Sequence, residues 1–158
     1  LCCQNSDDPT QEATGKTIVA NGLTSLVNRT DNLIKNGRFT SSATENWTLS
    51  GGTAALGTGQ SSAFGDGNHL VLTASSSYAY LRQSFTTVIG RTYLTDAKSN
   101  GADASFISTR TDENDAVITD IRGGKSFIAT QTTHHVILRA NTSGGNFDTV
   151  SVLSLIHI

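Results

Sequence analysis

The segment Phe147-Asp148-Thr149-Val150-Ser151-Val152 decides how the chain reads. Val150 and Val152 follow the period-two pattern of a strand with one buried face. Asp148 stands where that strand begins, directly after the loop Asn141-Thr142-Ser143-Gly144-Gly145-Asn146. A second marked segment lies far upstream: Asn32-Leu33-Ile34-Lys35-Asn36-Gly37-Arg38-Phe39, followed by the only tryptophan, Trp47. Between the two, spacing predicts short strands at 33–35, 47–50, 52–56, 69–74, 77–88, 91–98, 103–110, 115–121, 125–130 and 134–140, closed by 147–152. Turn-forming runs such as Gly51-Gly52, Gly65-Asp66-Gly67-Asn68 and Gly123-Gly124 separate them. Short strands at this spacing point to an all-β, two-sheet antiparallel sandwich.

The opening "N-L-x-x-N-G-x-F … W" and the ending "F-D-x-V-S-V" resemble the carbohydrate-binding-module jelly rolls that accompany many polysaccharide-degrading enzymes. The resemblance spans roughly residues 32–152 and implies a jelly-roll-like β-sandwich. It also implies that Trp47 packs under the opening strand. Such modules often hold a structural calcium ion through the aspartate of the closing strand, which matches Asp148 here. The family frequently places a carboxylate after the opening phenylalanine, whereas this chain has Thr40 after Phe39. A hard cation prefers several oxygens, charged ones among them. Without calcium, Asp148 caps turn amides.

Composition narrows the function. At 158 residues one domain is expected, with 36% hydrophobic and 15% charged residues and an abundance of small polar ones. Periodic apolar runs distinguish such a chain from a disordered one and fit an extracellular β domain. A net charge of −2 with no basic cluster argues against a nucleic-acid partner. No apolar run is long enough to span a bilayer.

The adjacent Cys2 and Cys3 cannot staple a core. Leu1-Cys2-Cys3-Gln4-Asn5-Ser6-Asp7-Asp8 resembles the end of a bacterial lipoprotein signal, with Cys3 the lipidated residue and the acidic tail similar to the surface-export signal of Bacteroidota lipoproteins. Residues 1–16 then form a tether, and 17–31 a short strand and helical lead-in. Leu23, Leu26, Val27, Thr30, Leu33 and Ile34 fall at helical spacing, either as a short helix packed on the sandwich or as a coiled-coil stalk of the kind trimeric phage fibres use. Fewer than two heptads favours the packed helix or a loop. The tail 153–158 matches the translation of a sequencing adaptor and is read as non-native.

The strand Tyr78-Ala79-Tyr80-Leu81-Arg82-Gln83-Ser84-Phe85 carries the chemistry. Alternation sends Ala79, Leu81, Gln83 and Phe85 to one face and Tyr78, Tyr80, Arg82 and Ser84 to the other. Leu81 and Phe85 mark the first face as core, which leaves two rings beside a guanidinium on the second. Sugars need that pairing, with rings against their C–H face and planar donors on their hydroxyls. Tyrosine's strand propensity alone accounts for the same residues as sheet cover. In His134-His135-Val136-Ile137-Leu138-Arg139, Val136 and Leu138 suit the core and His135, Ile137 and Arg139 the outside. Adjacent strand residues point oppositely, so the two histidines do not share a metal.

The acidic run Asp112-Glu113-Asn114-Asp115 fits a hairpin turn. Neither a paired-carboxylate nor a nucleophile motif stands out. The expectation is a non-catalytic, monomeric glycan-binding module at the cell surface or outside the cell, with a membrane link only through a lipid anchor. Tyr78, Tyr80, Arg82, Gln83 and Arg139 are its ligand contacts. The competing expectation is an adhesion or structural domain of a virion fibre or surface assembly.

Overall fold

A computed structural model of the chain describes residues 31–58, 67–101 and 104–155. Cys3, the tether at 1–16, most of the lead-in and the last three residues lie outside the described residues. Ten strands form: β1 (Thr48–Ser50), β2 (Gly52–Thr58), β3 (Asn68–Ala74), β4 (Ala79–Thr86), β5 (Thr92–Gly101), β6 (Ala104–Ser108), β7 (Ala116–Ile118), β8 (Lys125–Ile128), β9 (Thr133–Ala140) and β10 (Gly145–Ser154). No helix occurs among the described residues. The strands pair antiparallel in two five-stranded sheets, ordered β1-β4-β9-β6-β7 and β2-β3-β10-β5-β8. This is a jelly-roll-like β-sandwich.

Period-two alternation builds the core between the sheets. Ala79, Leu81 and Phe85 of β4 and Val136, Leu138 and Ala140 of β9 meet Leu70 and Leu72 of β3 and Phe147, Val150 and Val152 of β10. These side chains are almost wholly withdrawn from water. Each large one contributes about 1.5–3 kcal/mol by burial. The chain changes sheet between β1 and β2 at Gly51, where φ is +76° and a Cβ would strike the Tyr78 carbonyl. Only glycine meets both conditions cheaply.

The two segments that resemble the family motifs are bonded to each other. β3 pairs with β10 only over Gly145–Phe147, which leaves the rest of that β10 edge open. Asn32 closes it with its side chain: Nδ2 donates to the Val150 carbonyl and Oδ1 accepts from the Val152 amide, both at 3.0 Å. Leu33 N donates to Val152 O at 2.9 Å, and Val150 N to Gly37 O at 2.8 Å. A Cβ on Gly37 would run into the Val150 carbonyl, so the close approach requires glycine. A bulge between Asp148 and Ser151, with Thr149 at φ 53°, turns β10 so that Val150 and Val152 face inward. Trp47 is buried against Phe39, with ring centroids 5.6 Å apart.

Several local expectations differ from what forms. Residues 33–35 are not a strand: they are irregular chain held by the β10 edge and by Gln83. Leu33 and Ile34 are not helical, and the remainder of that stripe lies outside the described residues. The closing strand runs past 152, with Leu153 opposite Leu94 and Ser154 opposite Tyr93. Ile137, expected outside, is fully buried, and Phe106 is buried beside it on the outer side of the first sheet. It lies mid-strand between Arg82 and Phe106.

Candidate functional site

The outer face of the first sheet collects the residues of interest in three cross-strand rows. Register puts Ser50, Tyr80, Arg139 and Ala104 in one row. Thr48, Arg82, Ile137 and Phe106 form the next, and Ser84, His135 and Ser108 the third. Tyr78 precedes β4 and is 44% exposed. The loop 109–115 folds back over this face, tied by the Ser108 hydroxyl to the Asp112 carbonyl at 2.7 Å.

One half of the face is aromatic. The Tyr78 and Tyr80 rings lie 6.3 Å apart. The Arg139 guanidinium sits 4.5 Å from the Tyr78 ring centre and 5.2 Å from that of Phe106. Its Nη1 donates to Glu113 Oε1 at 2.7 Å, with both side chains only one-quarter exposed. Arg139 is therefore on the expected face, but it anchors the loop and backs Tyr78. Burial raises the Tyr80 hydroxyl above its ordinary pKa; the Glu113 carboxylate adds to this, while Arg139 and Arg82 oppose it.

The other half is a cationic recess. Arg82 donates from Nη2 to the Ser50 hydroxyl at 2.9 Å, and its guanidinium lies 5.0 Å from the Tyr80 ring centre. Its Nε is buried without an acceptor. Two clefts meet there. One, of about 280 Å³, lies between Lys35, Asn46, Thr48, Arg82 and Ser84. The other, of about 170 Å³, adds His135 and Thr111 to Thr48, Arg82 and Ser84. Burial, and secondarily the Arg82 charge, lowers the His135 pKa, so its imidazole is neutral at neutral pH.

Not every predicted site residue belongs to this surface. Gln83 faces the core side, and both its amide atoms are engaged: Oε1 accepts from Lys35 N at 2.7 Å and Nε2 donates to Lys35 O at 2.9 Å. It clamps the opening segment and lines the floor of the first cleft beside Arg82. His134 is buried beside Phe85 and Phe127 while His135 faces outward, so the two point to opposite sides of the sheet.

Asp148 lies in the second sheet, buried, with Oδ2 accepting from the Thr149 hydroxyl at 3.0 Å. Among the described residues no three His, Cys, Asp or Glu side chains gather where they could hold a metal. Glu113, Phe106 and Thr111 join this face without any sequence signal for it. A loop that reaches back across a sheet leaves no periodic trace, and the acidic run reads as a turn.

No protein-family model matches the sequence, and no curated protein sequence does. Solved structures share the architecture. Over 78% of this chain it is similar to the enzymatically active domain of tailspike protein 4 of bacteriophage CBA120, with a TM-score of 0.57 and 14% identity. The chain spans only 21% of that tailspike chain. Over 79% of its length it is similar to TmCBM61 in complex with β-1,4-galactotriose, covering 99% of that chain, with a TM-score of 0.55 and 15% identity. The chain thus shares its jelly-roll-like β-sandwich with both structures.

Proposed function

We propose that the chain is a non-catalytic glycan-binding module that docks on polysaccharide through the outer face of the first sheet. The observation that carries this is the placement of Tyr78 and Tyr80 on that face, beside a guanidinium whose Nε has no acceptor. The exposed tyrosine ring offers a stacking surface for a pyranose, and Arg82, Thr48, Ser84 and Asn46 offer hydrogen bonds to its hydroxyls. The likeness to TmCBM61, a galactotriose complex, supports the same use of this fold. Glu113, a carboxylate of the loop over this face, is engaged through Oε1 with Arg139, whereas glycoside hydrolysis takes two carboxylates placed across the sugar.

Affinity is modest, because hydrated hydroxyls must lose water before they bond to protein. In this reading the module is monomeric and works outside the cell or at a bacterial surface, with Cys3 as lipid anchor. Binding of the full chain to a polysaccharide array tests the function. Retention on at least one glycan, weakened about tenfold or more in Tyr80→Ala, is the expected outcome. Unchanged retention in that variant overturns the site.

The likeness to the tailspike domain favours a second reading, an adhesion unit of a larger assembly. Mass measurement in solution separates the two: a stable trimer supports the assembly, and a monomer supports the tethered module.

A further inference from the structure

We propose that the recess around Arg82 selects an acidic sugar, holding an oxyanion substituent (a uronate carboxylate or a sulfate ester) on the Arg82 guanidinium. This rests on the glycan-binding function and names the class of ligand for it. The arginines of the sheets and loops differ in how their charge is met. Arg110, Arg122 and Arg139 each have a carboxylate oxygen within 3.3 Å. Arg82 has instead a neutral hydroxyl, Ser50 Oγ, and the face of the Tyr80 ring. No described carboxylate pairs with it, and its Nε donor is buried with nothing to accept. A buried donor left unpaired costs free energy until an acceptor arrives.

The surroundings define what that acceptor is. The charged side chains lining the two clefts are Lys35 and Arg82, joined by the imidazole of His135, and no acidic side chain lines either one. The guanidinium fork, with Nη2 on Ser50 and Nε free, matches a pair of oxygens better than a single hydroxyl. Thr48, Ser84 and Asn46 stand at the walls, where they can bond ring hydroxyls next to the anion. The chain as a whole carries −2, so attraction to an anionic polymer is not a general property of its surface. It must come from a local site, and in this recess a guanidinium with a buried Nε faces no carboxylate, unlike the exposed Arg38 and Arg91, which water solvates. On the other half of the face, Glu113 cancels Arg139.

The test is affinity electrophoresis of the full chain in gels containing polygalacturonate, its fully methyl-esterified form, a sulfated galactan, or the same galactan without sulfate. At least one acidic polymer is expected to retard the protein about tenfold more strongly than its neutral counterpart. Which acidic polymer does so tells carboxylate from sulfate. Raised salt should weaken the effect. Arg82→Gln should abolish the preference, Arg82→Lys should keep only part of it, and Lys35→Ala should reduce it about threefold. Arg82→Lys and Lys35→Ala leave the core untouched, so they decide the matter if Arg82→Gln does not fold.

Equal retardation by acidic and neutral polymers overturns the acidic-sugar inference and leaves the glycan-binding function standing. An acidic preference that persists in Arg82→Gln and Lys35→Ala also overturns it, because the anion then lies elsewhere. Retardation by none of these polymers, together with no retention on the array, removes both.

Discussion

The two outer faces of the sandwich obey the same alternation and carry different chemistry. On the first sheet the outward positions of β4, β6 and β9 hold Tyr80, Arg82, Phe106, His135 and Arg139. On the second, the matching positions of β2, β3 and β10 hold Thr53, Ala55, Gly57, His69, Val71, Thr73, Ser151 and Leu153. The first face gathers paired tyrosines, two guanidinium groups and the loop 109–115, while the second is mostly small side chains, with His69 laid over Gly57 and Asp96 and Lys98 on β5. What the second sheet contributes is closure, since its β10 edge is where the opening segment docks through Asn32 and Gly37. Binding chemistry and structural closure are thus assigned to opposite layers. The two meet at Lys35, which lines the recess and is clamped to β4 by Gln83.

Gly37→Ala is the strongest way to break the closure side. A Cβ there meets the Val150 carbonyl, so the opening segment must back away from β10 and lose the bonds that join the two ends of the domain. Overpacking of this kind costs about 1–3 kcal/mol, and the loss of edge bonds puts this case near the top of that range. Urea unfolding should show it as a lowered midpoint, while glycan affinity under native conditions falls by no more than about threefold, the loss expected for Lys35 on the same segment. A large affinity loss in the still-folded variant would show that the layers are coupled.

On the other layer, Tyr80→Ala should lower glycan affinity about tenfold or more, equivalent to roughly 1.4 kcal/mol, with little change in the urea midpoint. Val71→Ala, on the smooth face, is its control and should leave affinity unchanged. Isothermal titration with whichever polysaccharide binds best measures both. If the Val71 variant loses as much as the Tyr80 variant, the glycan is held by the second sheet and not by the first.

Glu113→Gln probes the loop that makes the first face distinctive. The Glu113–Arg139 pair is one-quarter exposed on each side, so its loss costs about 0.5–1 kcal/mol after screening by solvent. Its clearer signature is local. Hydrogen exchange should quicken across residues 109–115, and the Tyr80 hydroxyl should titrate at lower pH, because one of the influences raising it is gone. An unshifted Tyr80 titration would show that burial alone sets it.

These contrasts also mark how far the sequence could be read. Strand positions were legible wherever alternation was strong, as in Ala79, Leu81 and Phe85 against Tyr80 and Arg82, because a single strand's period settles its own two faces. The union of the Asn32 and Phe147 segments was legible only through resemblance, since nothing local says that Asn32 will bond to Val150 and Val152. Long-range choices escaped. Ile137 is buried on the outer side between its cross-strand neighbours Arg82 and Phe106. Gln83 turns its amide to Lys35, and Glu113 finds Arg139. Each depends on a partner far along the chain, which periodicity does not encode.

The smallest effect is a pH dependence built into the core between the layers. Thr87 donates its one hydroxyl hydrogen to the Gln131 carbonyl at 2.7 Å, so its oxygen must accept from His134 Nδ1, 2.9 Å away. That makes Nε2 the bare nitrogen of a neutral ring, buried beside Phe85 and Phe127 with no partner. Protonating it would place an N–H and a charge among apolar rings, so burial, with a smaller contribution from neighbouring His135, lowers the His134 pKa below 6.5. The sign follows from linkage. Below about pH 6.5 the unfolded chain takes up a proton that the folded chain refuses, so stability falls as pH falls and levels off once the folded pKa is passed. Above that pH both states are neutral and the slope from this group vanishes. Urea midpoints measured between about pH 7.5 and about pH 5 should therefore decline with acid, and His134→Phe should flatten the decline. His135, lowered in the same direction on the outer face, accounts for the part that remains. A decline as steep in His134→Phe as in the parent chain would assign the acid sensitivity to groups outside the core.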